Sequence, residues 1–322
     1  MNVVVTGSLG FIGSHLIHKL LKQKKFKKIY GIDFENNKHK KLKNLRKQLL
    51  IKEKKFNYIN LDVSDLDKLY KFFKKQKIDI IVHLAAEAGV RDSVKNPGIY
   101  FKNNMLGFFN ILEVSKIFKI KHLMFASSSS VYGNKKKNSS IKETSNSDNP
   151  LSFYGATKKS NEVMAYSYSN VYGIPMTALR FFTVYGPLGR PDMAIFKFTK
   201  NNLEKKTIYA FDPNKNFRDF TYINDVVLAL EKLIFKIPKY KIPFRILNIG
   251  TNKPVNVSTL IKIIEKETSI KSKINVKKMH NLDVNYTNAN LRSLKKLIKL
   301  NKKTHLKEGI KEFINWYIEY IN

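Results

Sequence analysis

The chain has no cysteine, which excludes disulfides and thiolate chemistry and fits a reducing compartment. Acidic residues are few: 25 Asp and Glu stand against 60 Lys and Arg, for a formal net charge of +35. Arginine is scarce too, accounting for only seven of those 60 cations. Base readout in nucleic acids leans on the planar Arg fork, whereas here the charge is lysine spread over almost every segment, as in Lys24-Lys25, Lys40-Lys41 and Lys135-Lys136-Lys137. Ile and Asn are also abundant, so a general bias toward Lys, Ile and Asn accounts for the charge, and no specific nucleic-acid partner is expected. The charge should still speed encounter with an anionic substrate. No apolar run approaches the ~18–20 residues of a membrane span. An apolar strand from the second residue leaves no room for a signal peptide, so the expected protein is soluble and cytoplasmic.

What is present is an ordinary globular composition, 43% hydrophobic over 322 residues, enough for one large domain or two modest ones. Apolar strands and amphipathic helices alternate through the first half. Strands are expected at Val3–Thr6, Ile29–Ile32, Phe56–Leu61, Ile80–Leu84, Leu123–Ala126 and Thr177–Phe181. Helices are expected at Phe11–Leu21, Leu66–Lys75, 100–118 and from Tyr154 to about Tyr172, with 38–50 a basic stretch and 134–149 a polar loop. Repeated β-α units of this kind build a parallel, doubly wound α/β sheet. After Gly186-Pro187 the alternation gives way to short strands (Thr207–Ala210, Arg245–Ile249, Ile274–Lys277) and helices at 193–204, 224–235, 257–267 and 307–321. That second region is expected to bind the substrate over the carboxyl edge of the sheet. The expected division is 1–184 and 185–322, with parts of 217–250 returning to the first domain.

Two motifs carry chemistry. The strand Val3–Thr6 runs into Gly7-Ser8-Leu9-Gly10-Phe11-Ile12-Gly13 and then a helix, a phosphate cradle for a dinucleotide. Asp33 ends the next strand, 20 residues past Gly13, where a carboxylate accepts from the adenosine ribose hydroxyls and repels a 2′-phosphate, favouring NAD over NADP. Lys38, His39 and Lys40 nearby leave room for NADP. Asp62-Val63 reads either as an adenine contact or as a helix cap. The second motif is Tyr154-Gly155-Ala156-Thr157-Lys158, whose Tyr and Lys stand one helical turn apart. A phenol near its usual pKa of ~10 is a poor base at neutral pH. A neighbouring ammonium stabilises the phenolate. Four of the seven arginines (Arg91, Arg180, Arg190, Arg218) fall within motif strings, which suggests sites needing a fork for phosphate or carboxylate, although Arg180 lies within a strand and equally suits a structural role.

With these residues in view, the chain resembles the extended short-chain dehydrogenase/reductases, the NAD-dependent epimerases and dehydratases of nucleotide sugars. The resemblance rests on Thr6-Gly7 through Gly13, His83-Leu84-Ala85-Ala86, Ser127 to Tyr132, and Tyr154-x-x-x-Lys158. Three longer strings are similar to the UDP-glucuronate 4-epimerases: Ala88-Gly89-Val90-Arg91-Asp92-Ser93, Arg180 through Pro187, and Gly189-Arg190 through Lys197-Phe198; Arg218-Asp219-Phe220-Thr221 continues the match. It implies a Rossmann-type sheet, a homodimer, and a C4 epimerisation of a UDP-uronic acid through a transient ketone, feeding polysaccharide biosynthesis. By that register Ser128, Tyr154 and Lys158 are catalytic, with one or two serines of 127–130 facing away. Gly7, Gly10, Phe11, Ile12, Gly13, Asp33, Asp62, Val63, Leu84, Ala85, Ala86 and Lys158 would hold NAD. Gly89, Val90, Arg91, Ser128, Ser129, Thr183, Arg190, Lys197, Arg218 and Asp283 would hold the substrate, Arg218 at the pyrophosphate and Ser128, Ser129, Thr183 and Arg190 at the uronate carboxylate. Phe196, Phe198 and Tyr209 fit a uracil pocket or the core equally well. The dehydratases carry an Asp-Glu pair and the uronate decarboxylases a Glu where this chain has serines, so epimerisation is favoured. The segment that reads Gly-Asp-Val in the family reads His280-Asn281-Leu282-Asp283-Val284 here. A 4-epimerase of UDP-glucose or UDP-GlcNAc type sugars, and a silent binding protein, remain the alternatives.

Overall fold

The structure, a computed structural model, describes residues 1–34, 39–137, 139–278, 282–300 and 303–321. The chain divides into two compact units, one of residues 1–133, 146–181 and 227–247, the other of 134–145, 182–226 and 248–322. It crosses from one to the other more than once, so neither unit is a single stretch of sequence.

The first unit is built on β1 (Asn2–Thr6), α1 (Phe11–Leu21), β2 (Lys28–Asp33), α2 (Lys40–Ile51), β3 (Phe56–Asn60), α3 (Leu66–Lys75), β4 (Ile80–His83), the short α4 (Asp92–Lys95) and α5 (Pro97–Tyr100), α6 (Gly107–Ile117), β5 (His122–Ser128), α7 (Phe153–Tyr172) and β6 (Met176–Phe181). In the second half follow β7 (Thr183–Tyr185), α8 (Ala194–Leu203), β8 (Ile208–Phe211), β9 (Phe217–Tyr222), α9 (Ile223–Ile234), β10 (Phe244–Ile249), β11 (Pro254–Asn256), α10 (Val257–Thr268), β12 (Ile274–Lys277), α11 (Arg292–Leu297) and α12 (Leu306–Ile321).

Seven strands form one sheet in the order β10-β6-β5-β4-β1-β2-β3. The β1/β2, β1/β4, β2/β3, β4/β5 and β5/β6 pairs are parallel. The order reverses between β1 and β4, and a doubly wound sheet opens a crevice beyond its strand ends at such a switch point. Strand residues alternate between faces. Val4, Ile81, Leu123, Phe125 and Met176 meet Leu69 and Phe73 of α3, Phe108, Ile111 and Leu112 of α6 and Ala165 of α7 in one cluster. Burial on both faces is why these strands read as continuous apolar runs. The expected strand at Arg245–Ile249 belongs to this main sheet as β10. The basic stretch near 38–50 forms α2, whose Leu42, Arg46 and Leu50 are buried while Lys40 and Lys41 are exposed.

The single helix expected over 100–118 is in fact three pieces. Pro97 opens α5, residues Phe101–Leu106 are π-helical, and α6 follows. Within the π turn Asn104 is fully buried, and its amide donates to Glu87 O at 3.0 Å and Thr157 Oγ1 at 3.1 Å while accepting from Glu87 N at 2.8 Å. A π turn is where helices take up an inserted residue, often at a functional site. By contrast α7 has ordinary termini: the Ser152 hydroxyl accepts from Gly155 N, and Gly173 closes the helix in the left-handed region at φ 64°.

In the second unit β7, β9 and β11 form a three-stranded sheet and β8 and β12 a two-stranded parallel one. Strands β7, β9 and β11, and helix α11, had no counterpart in the sequence reading. An aromatic cluster of Phe196, Phe313, Trp316 and Tyr317 joins α8 to α12.

Phe108 lies fully buried with its ring 4.7 Å from that of Phe125. Phe108→Ala should cost about 3–5 kcal/mol of stability, read by urea denaturation. A loss under about 1 kcal/mol would contradict this packing.

Candidate active site

The glycine turn is set by one carbonyl. Gly7 sits at φ 66°, and a Cβ there would meet Ala85 N at 2.7 Å. Gly10 N donates to Gly7 O at 2.9 Å. A Cβ on Gly10 would stand 2.8 Å from that oxygen and one on Gly13 only 2.1 Å. Gly13 is thus required by the turn it packs on. Phe11 and Ile12 begin α1, whose cap residue Gly10 offers no side-chain bond and whose first turn carries no acidic group. The helix end therefore presents an uncompensated positive dipole to an anion.

The end of β1 is tied to the end of β4. Thr6 pairs in register with His83, and its hydroxyl accepts from Leu84 N at 3.2 Å and Ala85 N at 3.1 Å. The hydroxyl's own proton then goes to His83 Nδ1, 2.8 Å away, which leaves the imidazole proton on Nε2. Burial, with the charge of Lys158 adding to it, pushes the His83 pKa down to about 3, so the ring stays neutral. Leu84, Ala85 and Ala86 follow, half-buried. Asp33, at the end of β2, accepts from Leu9 N at 2.9 Å and pairs with Lys43 at 2.9 Å. Two bonds leave a carboxylate capacity for a vicinal diol. The glycine turn, the open helix end and this carboxylate all fit a dinucleotide. Asp62 accepts from Ser64 N, while the cap of α3 is Asp65; buried Val63 accepts through its carbonyl from Asn110.

Ser128, Tyr154 and Lys158 fall in this same unit. Ser128 ends β5 with its hydroxyl accepting from Ser130 N, so its own proton remains to be donated. Ser127 is the serine that turns away: it donates to Glu162 at 2.6 Å. Ser129 begins the 3-10 turn Ser129–Tyr132. Tyr154 is half-buried in the first turn of α7, its ring set edge-on to Tyr100 at 6.2 Å. Lys158 is 1% exposed, and burial alone pushes its ammonium down to about 8. Gly89 takes φ 136°, Val90 accepts from the Ser93 hydroxyl, and Arg91 is exposed at the start of α4.

The remaining predicted residues belong to the second unit. Thr183 opens β7. Arg190 is already paired with Asp192 through two bonds. Lys197 is exposed on α8, and Tyr209 is 52% exposed with Lys277 over its ring, while Phe196 and Phe198 are buried. Burial pushes Arg218 down to about 10, and nearby Asp283 opposes the shift. His280 and Lys38 lie outside the described residues.

Sequence reasoning missed Asp219, the neighbour of Arg218. Its carboxylate is fully buried and accepts from Thr251 N at 2.8 Å, Thr251 Oγ1 at 2.6 Å, Asn252 N at 2.9 Å and Ala289 N at 3.0 Å. One side chain thus joins β9, the turn after β10 and the segment that follows Asp283. The string that contains it does not mark that role, because all its partners but Thr221, at 3.4 Å, are 32 to 70 residues away. Asn104 and Glu162 escaped for the same reason.

Residues 3–250 match the model of the NAD dependent epimerase/dehydratase family. The chain belongs to that family. It is 39% identical to UDP-glucuronate 4-epimerase 4 of Arabidopsis thaliana over 99% of this chain and 76% of the plant protein. Its fold is similar to that of UDP-glucuronic acid 4-epimerase from Bacillus cereus, solved with UDP-glucuronic acid and NAD: TM-score 0.91, 33% identity, 99% of this chain and 100% of that one. It is also similar to UDP-glucose 4-epimerase of Thermotoga maritima, with TM-score 0.88 and 27% identity over the whole of both chains.

The buried Lys158 makes stability depend on pH. The unfolded chain keeps the lysine proton to its ordinary 10.5, the folded one only to about 8. Between those values the unfolded state binds more protons, so stability rises with pH. The gain of Lys158→Met over the parent in cofactor-free protein should be largest below pH 8 and shrink by on the order of 3 kcal/mol toward pH 10.5. Urea denaturation at both ends measures it, and a gain independent of pH would contradict the burial.

Proposed function

We propose that this protein is an NAD-dependent nucleotide-sugar 4-epimerase that interconverts UDP-glucuronate and UDP-galacturonate. The observation that carries the reading is the Tyr154-x-x-x-Lys158 pair, its lysine wholly buried, in the unit that holds the glycine cradle. NAD bound there supplies reversible oxidation of the sugar at C4, so the carbon loses its configuration as a ketone and regains either one. Tyr154 takes the proton of the C4 hydroxyl and returns it. The Lys158 ammonium, in a low-dielectric setting, stabilises the phenolate more strongly than it would in water. Ser128 donates its free proton to the same sugar oxygen. His83 stays neutral, so it adds no second charge beside Lys158.

A uronate imposes one further demand. A C6 carboxylate β to a C4 ketone loses carbon dioxide readily unless its bond is kept out of line with the carbonyl. With the Ser128 proton committed to the C4 oxygen, the hydroxyls of Ser129 and Thr183 are the groups assigned to hold it by charge-assisted bonds. Arg190 contributes less than a free arginine would, since Asp192 already offsets its charge. Arg218 binds the pyrophosphate and Asp283 the nucleoside end. The reading includes a cytoplasmic homodimer. Val163, Tyr166 and Val171 on α7 and Phe109 on α6 are left exposed, and an apolar face of this kind suits a second copy.

Purified protein incubated with UDP-glucuronate and no added cofactor should give UDP-galacturonate by NMR, and Tyr154→Phe should lower kcat by about 10²–10⁴-fold. A decarboxylated pentose product would overturn the assignment of the carboxylate-holding groups. Turnover of UDP-glucose or UDP-GlcNAc alone would replace the substrate, and no turnover even with NAD added would leave a binding protein. Light scattering should show a dimer for the parent and a monomer for Val163→Glu; a monomeric parent removes the dimer from the reading.

A further inference from the structure

Behind the catalytic residues lies a buried ion pair that the proposed chemistry does not use. Glu162 follows Lys158 by four residues and Tyr154 by eight, so all three share one face of α7. Arg180 stands on β6 directly opposite Ser127 of β5, and Phe181 opposite Ser128. The pair is bidentate: Arg180 Nε reaches Glu162 Oε1 at 2.7 Å and Nη2 reaches Oε2 at 2.6 Å, with the two side chains 1% and 3% exposed. Burial opposes the guanidinium charge, yet the carboxylate outweighs it and holds the group above its ordinary value.

The pair also grips the serine run from both sides. Ser127, just before the run's catalytic member, donates to Glu162 Oε1 at 2.6 Å. Tyr132, just after it, lies under the Arg180 guanidinium at 4.6 Å from the ring centre. From the helix side, Gly155 packs so closely that a Cβ there would stand 2.9 Å from Ser130 O. Ser128 ends the strand in extended conformation, with its hydroxyl turned back to accept from Ser130 N at 3.1 Å. A fork bound to a carboxylate fixes direction as well as distance, which a point charge does not.

We propose that Glu162 and Arg180 are positioning residues: their fork, clamped on Ser127 and Tyr132, fixes which serine of the run meets the substrate and how it faces Tyr154 and Lys158. The proposal rests on the site reading above. It asks of the pair a role that packing alone would not require, since buried ion pairs are often replaced by apolar residues without loss of stability.

The test uses two variants of the full chain with bound NAD, Ser127→Ala and the double replacement Glu162→Met/Arg180→Met. Both should retain NAD and melt within a few degrees of the parent. Both should keep KM within about twofold while kcat falls at least tenfold. Amide exchange should quicken in 127–133 and 153–158 before other segments of the protein, a readout that needs no turnover. Unchanged kcat in Ser127→Ala, or in a folded double variant, would overturn the proposal; if the double variant does not fold, Ser127→Ala decides alone. A parent that turns over no UDP-sugar would defeat the functional reading instead, and unchanged exchange in both segments would then defeat the positioning role independently.

Discussion

The Gly7 carbonyl is the point on which the cofactor half of the molecule turns. It accepts from Gly10, and neither Gly10 nor Gly13 can carry a Cβ beside it. Gly7 in turn cannot carry one against the chain leaving β4. The contact brings the first turn of α1 down onto the switch point between β1 and β4, where the sheet order reverses. Thr6 then stitches the same two strand ends together through one hydroxyl. An anion site results from sterics first and from the helix dipole second.

Charge in the first unit is sorted by burial. Lys158 is kept in a setting that weakens its hold on its proton, and His83 is kept neutral by the same desolvation. Arg180 is equally buried, but Glu162 matches it atom for atom. The two cations therefore differ: burial lowers the pKa of one, and a matched carboxylate raises that of the other. The mostly lysine surface plays no part in this. Its contribution is a long-range field that draws anionic substrates, and that field fades with salt.

In the second unit a single carboxylate does comparable work. Asp219 collects four donors from segments far apart in sequence and so sets the strand on which Arg218 stands. Burial pushes the Arg218 guanidinium down to about 10, against the opposing charge of nearby Asp283.

The sequence by itself determined the parallel sheet, because strands buried on both faces must be continuously apolar and the helices between them must be amphipathic. It also determined the cradle and the Tyr-Lys pair, since both depend on spacing within one turn or one helix. Phe11–Leu21 and Leu66–Lys75 were legible to the residue for that reason. The helix over 100–118 was not, because its π turn answers to Asn104 bonding with Glu87 and Thr157, one before it and one far after. Four consecutive serines look alike in sequence, and the tertiary structure tells two of them apart: Ser127 donates to Glu162, 35 residues on, while the Ser128 hydroxyl accepts from Ser130 N. The same holds for Arg180 and Asp219. A motif declares the residues that touch a ligand, whereas the groups that aim them are defined by contacts between elements far apart in sequence, and those exist only once the chain has folded.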